Sequence, residues 1–184
     1  MNQIKINYYY EIVLALLKKE AHGRELAKEL KASLTTIQRA LLDLMSYNVL
    51  DYKTEGKNHV FFMKKNLVAK TFVMNSENYK LAKLLRRYSF LEPLFKEITE
   101  RYPNLLIVLF GSYAKFIPRE GSDIDIYVNT SDEKAKENIE KLHDNINIKI
   151  GKFNKEDLLI QEIIKNHVII QGAELYYERL GFFK

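Results

Sequence analysis

Residues 104–128 read NLLIVLFGSYAKFIPREGSDIDIYV, and this stretch decides the fold of the C-terminal half. Its first seven residues are apolar on both faces and too few for most helices, which predicts a buried strand. Gly111-Ser112 ends that strand, and ten residues later residues 123–128 alternate as a second strand. The alternation places Asp123 and Asp125 on one face, with the isoleucines toward the core.

The residue types around these strands suit phosphate and metal binding. Gly111 lets the backbone approach a phosphate closely, and Ser112 offers a hydroxyl and N–H donors to the same anion. At a rise of about 3.3 Å per residue, the Cα atoms of Asp123 and Asp125 lie about 6.6 Å apart. Two such carboxylates can converge on one or two Mg²⁺ ions. A turn or a solvated strand edge explains either half alone, but the combination is more restrictive.

At these residues the chain resembles a minimal nucleotidyltransferase of the DNA polymerase β superfamily, whose signature is Gly-Ser, ten residues and Asp-x-Asp. The close match covers about residues 105–130, and Lys115 stands where the family commonly has a basic residue. The resemblance implies a small mixed sheet packed on helices, with Mg²⁺ as cofactor and a nucleoside triphosphate as substrate. The implied nucleotide-binding residues are Gly111, Ser112 and Lys115, and the implied catalytic and metal-binding pair is Asp123 and Asp125.

A later strand departs from the family pattern, in which active members carry a third carboxylate there. The candidate strand, residues 145–150, sends Asn147 and Lys149 to its polar face, and neither is acidic. Asn147 is a neutral oxygen ligand at best, and Lys149 would offset the negative field of the aspartates. Asp144, just before the strand, is the alternative third acid in a different register.

The basic excess of the chain lies in its first 75 residues. These contain 12 Lys+Arg and 7 Asp+Glu, so the remainder contains 29 − 12 = 17 basic and 24 − 7 = 17 acidic residues, and the formal net charge is +5. A basic segment joined to a neutral one predicts two modules, 1–75 and 76–184. We expect the first to face a polyanion, although a solvated basic face is the alternative.

Hydrophobic spacing in the basic segment predicts three helices and a hairpin. The helices fall at 8–19, at 24–31 and after a capping Ser33, and strand-like runs at 49–54 and 59–64 flank a Gly-containing turn. This order resembles the winged helix-turn-helix of prokaryotic transcription regulators. The resemblance implies a recognition helix in the major groove and a wing on the backbone of duplex DNA.

The candidate DNA contacts are hydroxyl, amide and basic side chains on that helix and wing: Thr35, Thr36, Gln38, Arg39, Lys53 and Lys57. The short polar groups can bond base edges or phosphates, Arg39 can fork onto guanine or phosphate, and the lysines supply charge. Alternatively, Arg39 and Asp43 stand four residues apart and pair on a solvated helix. Winged helices also serve as docking or dimerisation modules, so a homodimer is a further interpretation.

Between the modules, residues 66–73 are interpreted as a connector, Ser76 as the cap of a helix that runs to about residue 88, and a further helix follows Pro93. Near the C-terminus we expect a strand at 146–153 and a helix at 154–166. The predicted fold class is α+β: a winged helix of three helices and a β-hairpin, then a nucleotidyltransferase domain.

Composition excludes several classes of protein. A hydrophobic content of 47% argues against disorder, and the lack of cysteine excludes disulfides, thiolate metal sites and a cysteine nucleophile. No apolar run approaches the roughly 18 residues of a membrane span, and the N-terminus lacks a signal-peptide pattern. We therefore expect a soluble, cytoplasmic protein that does not bind membranes.

Three functions fit these patterns. The first is an enzyme that transfers NMP from an NTP to a protein or nucleic-acid acceptor. The second is a DNA-binding transcription regulator whose C-terminal domain senses nucleotide or docks a partner. The third is an antitoxin-like component that pairs with a helical toxin-like protein, which it modifies.

Overall fold

A computed structural model describes residues 7–184 of the chain. The chain divides into two compact units, one comprising residues up to Tyr79 together with Phe183 and Lys184, and the other Lys80–Phe182. The division falls inside a helix, a few residues after the predicted boundary at 75/76. The two units are described in turn.

The N-terminal unit contains three helices and a three-stranded antiparallel sheet with strand order β1-β3-β2. Its elements are α1 (Tyr8–Leu16), β1 (Ala21–His22), α2 (Gly23–Glu29), α3 (Leu34–Ser46), β2 (Leu50–Glu55) and β3 (Asn58–Met63). The two-residue β1 was not predicted. The three helices and the β2–β3 hairpin form the predicted winged-helix arrangement.

Local sequence signals explain the third helix and the hairpin. Ser33 caps α3 as predicted, since its Oγ accepts a hydrogen bond from the backbone N–H of Thr36 at 3.1 Å. The apolar stripe of α3 buries Ile37, Leu41 and Leu44 and leaves the opposite face to solvent. A two-residue turn, Gly56-Lys57, joins β2 to β3, with Gly56 at a φ of 61°.

The helix α4 (Leu67–Arg87) shows that two predictions for the middle of the chain were wrong. Residues 66–73 are not a connector, because Asn66 Oδ1 accepts the N–H of Ala69 at 2.8 Å and the helix begins at Leu67. Ser76 is not a cap. It is buried within the helix, and its Oγ donates to the carbonyl of Phe72, four residues back, at 2.7 Å.

The second unit contains a four-stranded mixed sheet with order β6-β5-β4-β7. Only the β5–β6 pair is parallel. After α4, the elements are α5 (Leu91–Arg101), β4 (Ile107–Leu109), α6 (Gly111–Ala114), β5 (Ile124–Val128), α7 (Glu133–Glu140), β6 (Ile146–Ile150), α8 (Leu158–Lys165), β7 (Val168–Gln171) and α9 (Ala173–Leu180). The predicted fold class is confirmed.

Several elements of this unit are shorter than predicted. The strand β4 occupies only three of the seven apolar residues, and Asp123 precedes β5 instead of lying in it. The strand β6 ends before Gly151, which has a φ of 155°, and α8 begins four residues later than expected.

A single apolar cluster holds this sheet against its helices. Its buried members include Ile107 of β4, Ile126 of β5, Ile148 of β6 and Leu94 of α5. Because these side chains alternate along the strands, the polar residues between them point to the other face of the sheet. Among residues 7–184, no helix is long and apolar enough to cross a membrane.

Candidate functional site

The Gly-Ser and Asp-x-Asp segments meet at Gly111 and Asp125. Strands β4 and β5 are antiparallel neighbours, and the N–H of Phe110 donates to the carbonyl of Asp125 at 2.9 Å. Gly111 has a φ of 70°, and a Cβ at this position would lie 2.1 Å from Oδ2 of Asp125. Any other residue would meet both backbone strain and a steric clash here. The fold therefore joins the two halves of the motif into one site.

The carboxylate of Asp125 is half-buried and held from the neighbouring parallel strand. Asn147 lies directly opposite Asp125, and its Nδ2 donates to Asp125 Oδ1 at 2.8 Å. Burial raises the pKa of Asp125 above its ordinary value, and the Asn147 hydrogen bond opposes that rise. The negative charge of Asp123 acts with burial. An amide donor thus helps keep a partly desolvated carboxylate ionised.

The β5–β6 register decides which residue occupies the third position of the motif. Asn147 pairs with Asp125, while Lys149 pairs with Tyr127 and is exposed. Lys149 acts on Asp125 only through its charge, which lowers the pKa of the carboxylate. Asp144 lies in an exposed turn ahead of β6. The register therefore places a neutral amide, and no acid, beside Asp125.

The predicted phosphate-binding residues follow Gly111 in a single helical turn, α6. Ser112 is partly buried, and within residues 7–184 its hydroxyl makes no hydrogen bond. Lys115 caps this turn, and its Nζ lies 3.3 Å from Oε1 of Glu162 on α8. Glu162 also raises the pKa of Asp125, so it belongs to the surroundings of the site. Sequence reasoning missed Glu162 because it lies 47 residues from Lys115 and no local pattern links them.

The donor set fits a Mg²⁺ ion that a substrate completes. In the described part of the chain, no three His, Cys, Asp or Glu side chains form a group that could hold a metal ion. Mg²⁺ is, however, usually bound through one or two carboxylates together with substrate phosphates. Asp125 Oδ2 points to the space that glycine leaves open at position 111. The exposed Asp123 lies two residues away along the chain.

On the N-terminal unit, the predicted recognition residues differ in availability. Thr35, Gln38 and Arg39 are exposed on α3, whereas the Thr36 hydroxyl lies 2.8 Å from Ser33 Oγ at the helix cap. Arg39 forms no ion pair with the described residues. The alternative Arg39–Asp43 pair is not formed, because Asp43 instead accepts a hydrogen bond of 2.6 Å from the Tyr9 hydroxyl.

The two wing lysines also differ. Lys53 Nζ lies 2.6 Å from Glu20 and 3.3 Å from Glu55, and these hydrogen bonds raise the pKa of Lys53. Lys57, in the turn, is exposed and forms no ion pair within residues 7–184. The charge of Lys53 is therefore partly neutralised within the protein, and that of Lys57 is not.

Comparison with solved structures found three similar folds. The adhesin competence repressor AdcR from Streptococcus pyogenes is 19% identical, with 50% of this chain and 69% of that chain covered and a TM-score of 0.41. A mutant of ZitR from Lactococcus lactis is 14% identical, with 50% and 66% covered and a TM-score of 0.38. A toxin-antitoxin structure with AMP-PNP is 24% identical, with 58% and 86% covered and a TM-score of 0.34.

No match was found among curated proteins. Residues 95–177 match the family model described as Polymerase beta, Nucleotidyltransferase. The matched range runs from α5 into α9 and contains Gly111, Ser112 and both aspartates, whereas the N-terminal unit lies outside it. The nucleotidyltransferase domain family is therefore represented in this chain by residues 95–177.

Proposed function

We propose that the chain binds a nucleoside triphosphate with Mg²⁺ through residues 76–184 and duplex DNA through residues 1–75. One observation carries the nucleotide half: the backbone of Gly111 lies against the Asp125 carboxylate. A phosphate-binding turn and a metal-binding strand are useful together only when they face the same space. The family match over residues 95–177 supports this half of the proposal.

Each side chain of the site has a task in this proposal. The Ser112 hydroxyl and the N–H groups of its turn bind phosphate oxygens. Asp123 and Asp125 hold Mg²⁺, which supplies positive charge against the triphosphate. Asn147 positions the Asp125 carboxylate through the hydrogen bond to Oδ1. Lys115 exchanges the Glu162 carboxylate for a phosphate when nucleotide binds.

Transfer of NMP is a separate step, and the register of β6 bears on it directly. A third carboxylate can help to deprotonate the attacking hydroxyl, and the residue beside Asp125 is the neutral Asn147. We therefore propose that nucleotide binding is retained while transfer is slow. A labelled-NTP assay with DNA, RNA and protein acceptors, among them a helical toxin-like protein, tests this step, with Asp123→Asn/Asp125→Asn as the control.

Asn147→Asp is expected to increase transfer by about ten-fold or more when an acceptor is present, since a positioned base typically contributes at least that much. The substitution changes one atom of a side chain that already contacts Asp125. Asn154→Asp is the matched control, because Asn154 is exposed and precedes α8. Robust wild-type transfer that Asp144→Asn abolishes would instead identify Asp144 as the third acid.

A regulator is the second candidate function, and the same Asn147 favours it. In this alternative the C-terminal domain senses nucleotide or docks a partner, and the N-terminal unit binds DNA. Nucleotide binding without transfer to any acceptor would select this alternative. A homodimer is also proposed, and sedimentation of the chain at several concentrations tests it.

DNA binding by the wing predicts unequal effects of its two lysines. Lys57→Ala should weaken binding to all duplex sequences and reduce the slope of log K against log salt by about one. Lys53→Ala should have a smaller effect, because Glu20 and Glu55 already offset that charge. Fluorescence anisotropy with labelled duplex DNA over a salt series measures both. Equal effects of the two substitutions would argue against the proposed wing contact.

A further inference from the structure

A cleft opens between α3 and the β2–β3 hairpin of the N-terminal unit. Its volume is about 570 Å³, which is within the range of small-molecule sites. Leu42 and Tyr52 line it although their side chains are 65% and 40% exposed. Large apolar side chains left exposed around one concave surface indicate a surface that a ligand covers.

Aromatic and aliphatic side chains form the floor and one wall of this cleft. Phe61 and Leu41 are in the floor, and Gly23 keeps it open, since a Cβ there would lie 3.5 Å from Leu41 and 4.0 Å from Phe61. The Tyr52 ring stands 6.0 Å from the Phe61 ring and 4.2 Å from that of His59. A planar ring can therefore pack against aromatic faces and edges here.

The polar lining of the cleft carries charge of one sign. Arg24 and Lys57 line it together with His22 and His59, and none of the described residues that line it is Asp or Glu. Neither Arg24 nor Lys57 forms an ion pair within residues 7–184, and both are exposed. Two unpaired cations beside an apolar floor attract an anion that also carries apolar surface.

We propose that this cleft binds an amphipathic organic anion, namely an aromatic ring that carries a carboxylate or sulfonate. The ring packs against Tyr52 and Phe61, and the anionic group lies at Arg24 and Lys57. Gln38 and Lys57 line the cleft and are also candidate DNA contacts. The anion and duplex DNA therefore exclude each other, an extension that rests on the proposed DNA binding.

The binding test is a fluorescence titration of the 184-residue chain with 1-anilinonaphthalene-8-sulfonate. The neutral N-phenyl-1-naphthylamine serves as the matched probe without the anionic group. The sulfonate should bind saturably with one site per chain and about ten-fold more tightly than the neutral probe, because one charge-assisted contact contributes roughly this much. Equal affinity for both probes would overturn the proposal.

Variants localise the probe to the cleft. Arg24→Gln should weaken sulfonate binding about ten-fold and leave neutral-probe binding unchanged. Leu42→Glu should abolish binding by placing an acid at the apolar wall. Lys53→Gln is the matched control, because Lys53 lies on the same hairpin outside the cleft and is paired with Glu20. A loss with Lys53→Gln as large as that with Arg24→Gln would overturn the assignment.

Competition with labelled duplex DNA tests the exclusion. Saturating sulfonate should displace DNA from the wild-type chain, and Arg24→Gln should require about ten-fold more sulfonate for the same displacement. Simultaneous binding of both would overturn the exclusion. If no DNA binds even at low salt, the proposed DNA binding fails, and the fluorescence titration still decides whether the cleft binds the anion.

Discussion

Gly111→Ala is expected to remove Mg²⁺-dependent nucleotide binding, with a loss of about 100-fold or more in affinity, because several kcal/mol of interaction are at stake. The residue has a φ of 70°, a conformation that costs an L-amino acid about 1–2 kcal/mol. The added methyl would also overlap Oδ2 of Asp125 at 2.1 Å. Relief of that overlap requires the carboxylate to move, which breaks its hydrogen bond with Asn147.

Calorimetric titration with Mg-ATP measures this loss, and a thermal melt shows whether the variant is folded. Gly121→Ala is the matched control. Gly121 also has a positive φ, of 75°, but a Cβ there would meet nothing within 4 Å. It should therefore show the backbone strain without the collision. If Gly111→Ala bound nucleotide as well as Gly121→Ala does, the contact between the turn and Asp125 would have no role in binding.

Duplex DNA binding by the 184-residue chain is expected to fall about 100-fold between roughly 50 and 200 mM salt. About four phosphate contacts give a slope near −3.6 in log K against log salt, from which this loss follows. The basic excess of 12 over 7 residues in the first 75 supplies the charge. Arg39→Ala should reduce the slope by about one, and should also relax sequence preference if Arg39 reads a base.

Anisotropy at five or more salt concentrations measures the slope. Arg101→Ala is the matched control, because Arg101 lies on α5 of the other unit and is paired with Glu97. A slope near zero, or an equal reduction by Arg39→Ala and Arg101→Ala, would contradict DNA binding through α3.

Local patterns predicted the parts of the molecule that depend on neighbours in sequence. The cap at Ser33, the hairpin turn and the alternation of β5 and β6 all follow from residues within a few positions of one another. The α4 helix was within reach as well, since residues 67–87 contain neither Gly nor Pro and Asn66 precedes them. The error there came from reading Ser76 as a cap although a serine can also bond its own helix.

Contacts between distant segments could not be predicted in this way. Glu162 meets Lys115 across 47 residues, and Lys53 meets Glu20 from another element. The clash that excludes a side chain at position 111 involves a carboxylate on the next strand. Each depends on how strands and helices pack, which hydrophobic spacing alone does not specify. The roles assigned to the site residues stay predictions, and the experiments above address them separately.

Calorimetric titration of the chain with Mg-ATP, in parallel with Asp123→Asn/Asp125→Asn, tests the central claim most directly. Asparagine keeps the shape of each side chain and removes the charge, and a neutral group suits the partly buried position 125, where burial already raises the aspartate pKa. We expect the wild-type chain to bind one Mg-ATP, EDTA to prevent binding, and the double variant to bind about 100-fold more weakly, since two charged contacts are lost. Binding of Mg-ATP by the double variant with wild-type affinity would contradict the account.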